Sequence, residues 1–243
     1  MITKVMGFIV SSTPYRESSL IMQIFTREYG LISVIGKGVK SLKSPLRALT
    51  LPYTYGYFYL YYKEGKMSTL KDVDLIDPLL NIHEDITKIS YVNYLADLVR
   101  QVYKESMDSH LFSLFIDTIL KINEGLNPAV LTNILEVKCL PMIGVGLSLD
   151  ACIHCGNQKE IVTIDGDRGG LICKNCYQNE RIVPLEVLKL LRMFQYVDIK
   201  KIKKLDIKKE YQQEIDSFLN RYYERYTGIY IHSKEFIKKM KLT

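Results

Sequence analysis

An α+β fold is predicted by three features of this chain. Five short strand-like segments occupy the first 77 residues, the apolar period becomes helical after Asp77-Pro78, and two matched C-x-x-C pairs interrupt the helical part. Together they predict an N-terminal five-stranded OB-type barrel followed by a helical bundle with an inserted zinc-ribbon-like knuckle. The boundaries expected are 1–79 for the barrel, 80–150 with 180–243 for the helical domain, and 151–179 for the knuckle.

Segments 2–11, 18–27 and 31–38 are rich in Ile, Val, Phe and Ser. Pro14-Tyr15-Arg16-Glu17 and Glu28-Tyr29-Gly30 separate them, a spacing that suits an antiparallel meander. A basic connection, Lys37-Gly-Val-Lys40-Ser-Leu-Lys43-Ser-Pro-Leu-Arg47, leads to the run Tyr53–Tyr62, a turn at Lys63-Glu-Gly-Lys66 and a last strand near 67–76. Five strands with a connection after the third fit a Greek-key barrel of the OB type. In the tyrosine run, Tyr53, Tyr55, Tyr57, Tyr59 and Tyr61 alternate onto one face, with Phe58, Leu60 and Tyr62 on the other. Aromatic rings on the outside of such a barrel either stack on nucleobases or pack as ordinary cross-strand pairs.

Beyond Pro78 the apolar residues from Ile82 through Ile86, Ile89, Val92 and Leu95 to Val102 mark one amphipathic helix. Leu111, Leu114, Phe115, Ile119 and Ile122 mark a second, closed by Gly125; Asn127-Pro128 starts a third that runs toward Pro141. Pro184 opens another, and 208–226 completes the set.

Cys152-Ile-His-Cys155 and Cys173-Lys-Asn-Cys176 stand seventeen residues apart. That spacing suits a tetrahedral four-thiolate zinc site, each pair on its own tight turn. Four thiolates close the coordination sphere and leave no position for a reacting water, so the Zn²⁺ expected here is structural. Ile161–Ile164 and Gly170–Ile172 flank a Gly-rich turn and read as a hairpin between the pairs. Two disulfides or a redox dithiol stand as alternatives to a metal. His154 reads as a solvent-facing loop residue, and Cys139 as a small apolar core residue.

An apolar share of 47% with 25% charged residues excludes a disordered or fibrous chain. The N-terminal residues lack a signal-peptide pattern and no apolar run approaches the ~20 residues of a spanning helix, so a cytoplasmic protein is expected. The net charge of +6 is unevenly distributed. Lys and Arg against Asp and Glu number 10 to 6 in residues 1–80, 5 to 9 in 81–150, 4 to 4 in 151–182 and 14 to 8 in 183–243. Basic ends and an acidic middle suggest a polyanion held at the ends. Lys200, Lys201, Lys203, Lys204, Lys208 and Lys209 form the densest basic stretch.

Signatures of catalysis do not hold up. Gly36-Lys37-Gly38 lacks the remainder of a phosphate-binding loop, and His83-Glu84 begins an H-E-x-x-H motif that Thr87 breaks. Four histidines, none near a candidate nucleophile in sequence, point to a binding protein rather than an enzyme.

The segment Tyr15-Arg-Glu17-Ser18, then Leu20-Ile-Met-Gln-Ile-Phe-Thr26-Arg-Glu-Tyr-Gly30, then Lys37-Gly38, resembles the Y-x-E-x-S, F-T-x-x-x-G and K-G pattern of the bacterial recombination mediator RecO family. The resemblance covers essentially the whole chain, and the four cysteines match its zinc-bearing members. It implies a cytoplasmic, nucleoid-associated protein of DNA repair that binds single- and double-stranded DNA. It further implies annealing of complementary strands and, with RecR, help in loading RecA onto DNA coated by the single-stranded DNA-binding protein SSB. DNA contact carries over to Lys37 and, around it, to Lys40, Lys43, Arg47 and Arg16, although Arg16 could instead pair with Glu17. The family pattern is richer in arginine; lysine keeps the charge but loses the bidentate fork to phosphate. The C-terminal lysines could extend the DNA path or receive the acidic SSB tail. A zinc-ribbon regulator of transcription or RNA is the alternative reading.

Overall fold

The computed structural model describes residues 1–229, 233, 234 and 237. Strands β1 (Thr3–Tyr15), β2 (Ser19–Thr26), β3 (Gly30–Gly36), β4 (Tyr55–Tyr61) and β5 (Ser68–Asp77) close a barrel in the order β1-β2-β3-β5-β4. One long strand serves both sides: Thr3–Phe8 pairs with β4 and Gly7–Tyr15 with β2. A register shift between Ile9 and Ser11 supplies the bend this requires. Closure comes from a short parallel contact of β3 with β5, Val34 opposite Ser68 and Ile35 opposite Thr69. This is the OB-type barrel that the strand spacing predicted.

Period-two alternation fills its interior with Val5, Ile9, Met22, Ile24, Val34, Phe58, Leu60, Leu70 and Val73. Each such side chain removed from water contributes about 1.5–3 kcal/mol before entropy is counted. The basic connection is anchored here too, since Val39 belongs to this core and Leu46 and Leu49 pack against it. In β4 the alternation is kept from Gly56 onward, with Phe58 and Leu60 inside, Tyr57 and Tyr59 half-buried and Tyr61 exposed. Tyr53 and Tyr55 depart from it. Tyr53 precedes the strand with φ 67° and donates its hydroxyl hydrogen bond to Asn93, while Tyr55 is buried.

The single helix expected from Ile82 to Val102 is two, α1 (Leu80–His83) and α2 (Ile86–Ser106). The break is made by Asp85, whose carboxylate accepts from the Thr87 and Lys88 amides at 2.8 and 3.2 Å and caps α2. After α2 comes α3 (His110–Asn123). Beyond the strand interior, Phe8 and Phe25 meet these helices edge to face: Phe8 with Phe115 at 5.0 Å, Phe25 with Tyr103 at 5.2 Å and with Phe112 at 5.4 Å. Gly30, with φ 62°, makes room for the Tyr103 ring; a Cβ there would lie 1.8 Å from the Tyr103 hydroxyl.

The described residues form two compact units. One holds Met1–Ile116 with Ser233, Lys234 and Ile237, the other runs from Asp117 to Ile229, and the division falls inside α3. The second unit is built around α4 (Pro128–Cys139), capped by Asn127 with Pro128 in its first turn as expected, and buried on nearly every side. It packs on α5 (Leu185–Tyr196) and α6 (Lys209–Tyr226). Part of the buried polar surface of α4 is tied down: the Asn133 side-chain nitrogen donates to Glu136 Oε2 at 3.2 Å and Asp216 Oδ1 at 2.7 Å, and the Tyr223 hydroxyl donates to the Glu136 carbonyl at 2.8 Å, while Asn133 Oδ1 and Thr132 Oγ1 have no partner among the described residues. A small sheet completes the unit, ordered β6 (Ser148–Cys152), β8 (Gly170–Cys173), β7 (Ile161–Asp165). Among the described residues, no helix is long and apolar enough to cross a membrane.

Candidate metal centre and nucleic-acid interface

The hairpin β7–β8 turns through Asp165, whose carboxylate accepts from the Asp167 and Arg168 amides at 2.7 and 3.0 Å. Gly169 follows at φ 64°, where a Cβ would lie 2.3 Å from the Tyr222 hydroxyl. The hairpin is therefore pinned against α6, and β8 delivers Cys173, fully buried, at its end. A short 3₁₀ turn, Lys174–Cys176, brings round the second thiol of that pair. The other pair sits at the end of β6, a strand not foreseen from the sequence, which lies parallel to β8. There the Gly156 amide donates to the Cys152 carbonyl at 2.8 Å, closing the turn that carries Cys155.

All four Sγ atoms lie within 4.8 Å of one another, and Cys155 and Cys173 are 3.6 Å apart. A tetrahedron of metal–sulfur bonds of about 2.3 Å has edges of about 3.8 Å, so the set fits a four-thiolate ion without rearranging its strands. All five cysteines are free thiols, so the two-disulfide alternative is not the arrangement found. Burial works against the Cys152 thiolate but is outweighed by amide donors from Cys173, His154 and Cys155, which bring this thiol down to about 6. Cys176 is pushed up to about 12, chiefly by its hydrogen bond with Cys155. A cluster of amide-solvated sulfurs that cannot all ionise without a cation is suited to holding a metal ion. His154 is exposed beside Arg168, and Cys139 is fully buried with its thiol pushed far up by burial, as expected of a loop and a core residue.

In the barrel unit, Arg16 occupies the tip of the β1–β2 turn with φ 54°. It makes no ion pair with Glu17; its guanidinium lies 5.2 Å from the centre of the Tyr15 ring. The same turn holds the start of the basic connection, because the Lys40 amide donates to the Ser18 carbonyl at 2.9 Å and the Gly38 amide to the Ser19 hydroxyl at 3.4 Å. From there the connection runs as successive tight turns, Ser41 to Gly38, Ser44 to Ser41 and Arg47 to Ser44, each amide donating three residues back. Lys37, Lys40, Lys43, Arg47 and Arg16 are all exposed, and none forms an ion pair with a described residue. The β1–β2 turn that carries Arg16 is thus bonded to the start of the segment that carries Lys37 and Lys40, with Lys43 and Arg47 following along the same connection.

Two of the outward tyrosines of β4, Tyr57 and Tyr59, are engaged within the sheet, while Tyr61 stays exposed. The Lys4 ammonium lies 4.0 Å from the centre of the Tyr57 ring and 5.5 Å from that of Tyr59, whose hydroxyl donates to Asp74 at 2.7 Å. A different aromatic pair was missed by sequence reasoning: Tyr29 and Tyr62 stack at 4.2 Å with their planes 20° apart. Residues 33 positions apart carry no joint pattern, and only the barrel's closure unites them. In the second unit the C-terminal lysines are partly neutralised, Lys201 by Asp198 at 3.4 Å, Lys204 by Asp206 at 3.6 Å and Lys208 by Glu210 at 3.9 Å.

A family model described as Recombination protein O N terminal matches residues 1–79, and one described as Recombination protein O C terminal matches 83–235. The chain is 32% identical over 238 residues to the DNA repair protein RecO of Listeria monocytogenes serotype 4b, covering 96% of this chain and 93% of that protein. It is likewise 32% identical over 245 residues to the DNA repair protein RecO of Bacillus pumilus, covering 99% and 95%. The DNA repair protein RecO of Halalkalibacterium halodurans is 31% identical over 245 residues, covering 99% and 96%.

Proposed function

The chain belongs to the Recombination protein O family, and from that premise we propose that it is a DNA-binding recombination mediator of DNA repair. It binds single- and double-stranded DNA, anneals complementary strands and, acting with RecR, helps RecA displace SSB from single-stranded DNA. The observation that carries this reading is the group of five exposed cations without ion-pair partners among the described residues: Arg16, Lys37, Lys40, Lys43 and Arg47, on an OB-type barrel. Phosphate contacts supply sequence-independent affinity, so a strand can be held wherever it is offered. Neutralising its charge lowers the repulsion that a complementary strand must overcome. No group on the protein needs to make or break a bond, and the reading assigns no catalytic residue.

The four cysteines hold a Zn²⁺ in this reading, with a structural task. Joining the β6 turn to the end of β8, the ion fixes the knuckle of residues 151–179 within the helical part of the chain.

The test is binding of a labelled single-stranded oligonucleotide across a salt series. Each phosphate neutralised contributes about 0.7 to the slope of log affinity against log salt. Replacing Lys37, Lys40, Lys43 and Arg47 together by Ser should therefore flatten the slope by roughly 3. A slope equal to that of the unaltered protein would overturn the assignment of these residues.

A further inference from the structure

On the other side of the barrel's parallel seam lies a cleft that the basic connection does not use. β3 pairs with β5 at Val34 and Ile35, so on the side away from β2 its Leu31–Ser33 part has no strand beside it among the described residues. Opposite stands the β4–β5 turn, and between them opens a cavity of about 390 Å³ lined by Leu31, Ser33, Tyr62, Lys63, Lys66 and Met67 among others. Gly65, at φ 62° with nothing within 4 Å of its Cβ position, keeps the rim open.

Two features of this cleft suit an unpaired nucleobase with its phosphates. Tyr62 lines it, and Tyr29, stacked on Tyr62 beside the cleft, remains 42% exposed, which leaves aromatic surface for a further ring. Tyr57 and Tyr59, the more obvious candidates, are already occupied by Lys4 and Asp74. Lys63 and Lys66 are exposed on the turn and form no ion pair with a described residue. Stacking needs a base drawn out of a duplex, whereas phosphate contacts do not, so such a site distinguishes single strands from double strands.

We propose that the Tyr29–Tyr62 stack with Lys63 and Lys66 forms a single-strand-selective subsite, taking a base on the ring stack and its phosphates on the two lysines. The inference rests on the DNA-binding reading above and adds a strand preference that the basic connection cannot supply. An added strand from a partner protein is the competing occupant of the free β3 edge; rings and lysines favour nucleic acid over it.

The test uses the full chain with a fluorescein-labelled oligothymidylate and a labelled hairpin duplex of the same length. Tyr29→Ala should weaken single-strand binding about 5- to 150-fold, the range a lost base stack gives, and leave duplex binding within about twofold. Tyr29→Phe, which keeps the ring, should bind as the unaltered protein does, and an unchanged thermal unfolding curve for Tyr29→Ala excludes a collapsed barrel. Single-strand affinity unchanged in Tyr29→Ala, or lost equally with duplex affinity, would overturn the subsite. If the Lys37, Lys40, Lys43 and Arg47 variant loses binding while Tyr29→Ala does not, the subsite fails and the DNA-binding reading stands. Failure of the unaltered protein to bind either probe overturns both.

Discussion

Replacing Cys173 by Ser tests the metal centre where its consequences for folding are largest. Cys173 is fully buried at the end of a strand whose four residues are all buried, and its sulfur is 3.6 Å from that of Cys155. The substitution removes one of four ligands and leaves a hydroxyl in its place. A bound ion stabilises the folded chain by RT ln(1 + [M]/Kd), so a thousandfold loss of occupancy at fixed metal removes about 4 kcal/mol. The assay pairs metal content with thermal unfolding for the unaltered protein and the variant, each with and without chelator. With a structural ion at this site, chelation of the unaltered protein and the substitution cost nearly the same. Chelator should then add less than about 1 kcal/mol to the variant, because both act on one interaction. A variant that keeps a full complement of metal and an unchanged Tm would refute a structural ion bound by these thiols.

Thiol accessibility gives an independent reading of the same centre. Ellman's reagent should find no reactive thiol in the metal-loaded protein and reach the exposed Cys155 and half-buried Cys176 first after chelation, with Cys152 and Cys173 following as the knuckle opens; the buried Cys139, whose thiol burial holds un-ionised, should react only on unfolding. Five fast thiols in the folded, chelated protein would show that the Cys139 environment is wrong. In the barrel unit, Gly30→Ala should destabilise by about 2–4 kcal/mol, combining a left-handed backbone with displacement of the Tyr103 ring from Phe25. Adding Tyr103→Ala should cost less in that background than in the unaltered protein, and strict additivity in denaturant melts would contradict the packing described.

The barrel was legible because its signals are local. Period-two runs, the Glu28-Tyr29-Gly30 turn and the Lys63–Lys66 turn each lie within a few residues, and Asn127-Pro128 announces α4 in the same way. The thiol cluster was legible because ligand spacing constrains the turns that bear it. What escaped depends on distant partners. β6 is a strand only through its parallel neighbour β8, and the alternation of Ser148-Leu149-Asp150-Ala151 is too short to announce a strand without that partner. Tyr53 joins the tyrosine run in sequence, yet its left-handed backbone and its bond to Asn93, 40 residues away, take it off the sheet. The helix break at Asp85 could have been read, since an Asp followed by Ile-Thr-Lys is an N-cap pattern, but the apolar period across it masked the signal. The C-terminal lysines looked like one patch on charge alone, and the acidic residues that pair with Lys201, Lys204 and Lys208 lie within three positions of them. The remaining basic residues beyond 237 lie outside the described residues.

The central claim is that the chain brings complementary DNA strands together. Fluorescence-monitored annealing of two complementary oligonucleotides, bare and SSB-coated, without nucleotide cofactor and across a salt series, tests it most directly. Acceleration is expected on both substrates, weakening steeply with salt and largely lost in the Lys37, Lys40, Lys43 and Arg47 variant. Annealing no faster than the spontaneous rate, with tight binding confined to particular sequences, would contradict it.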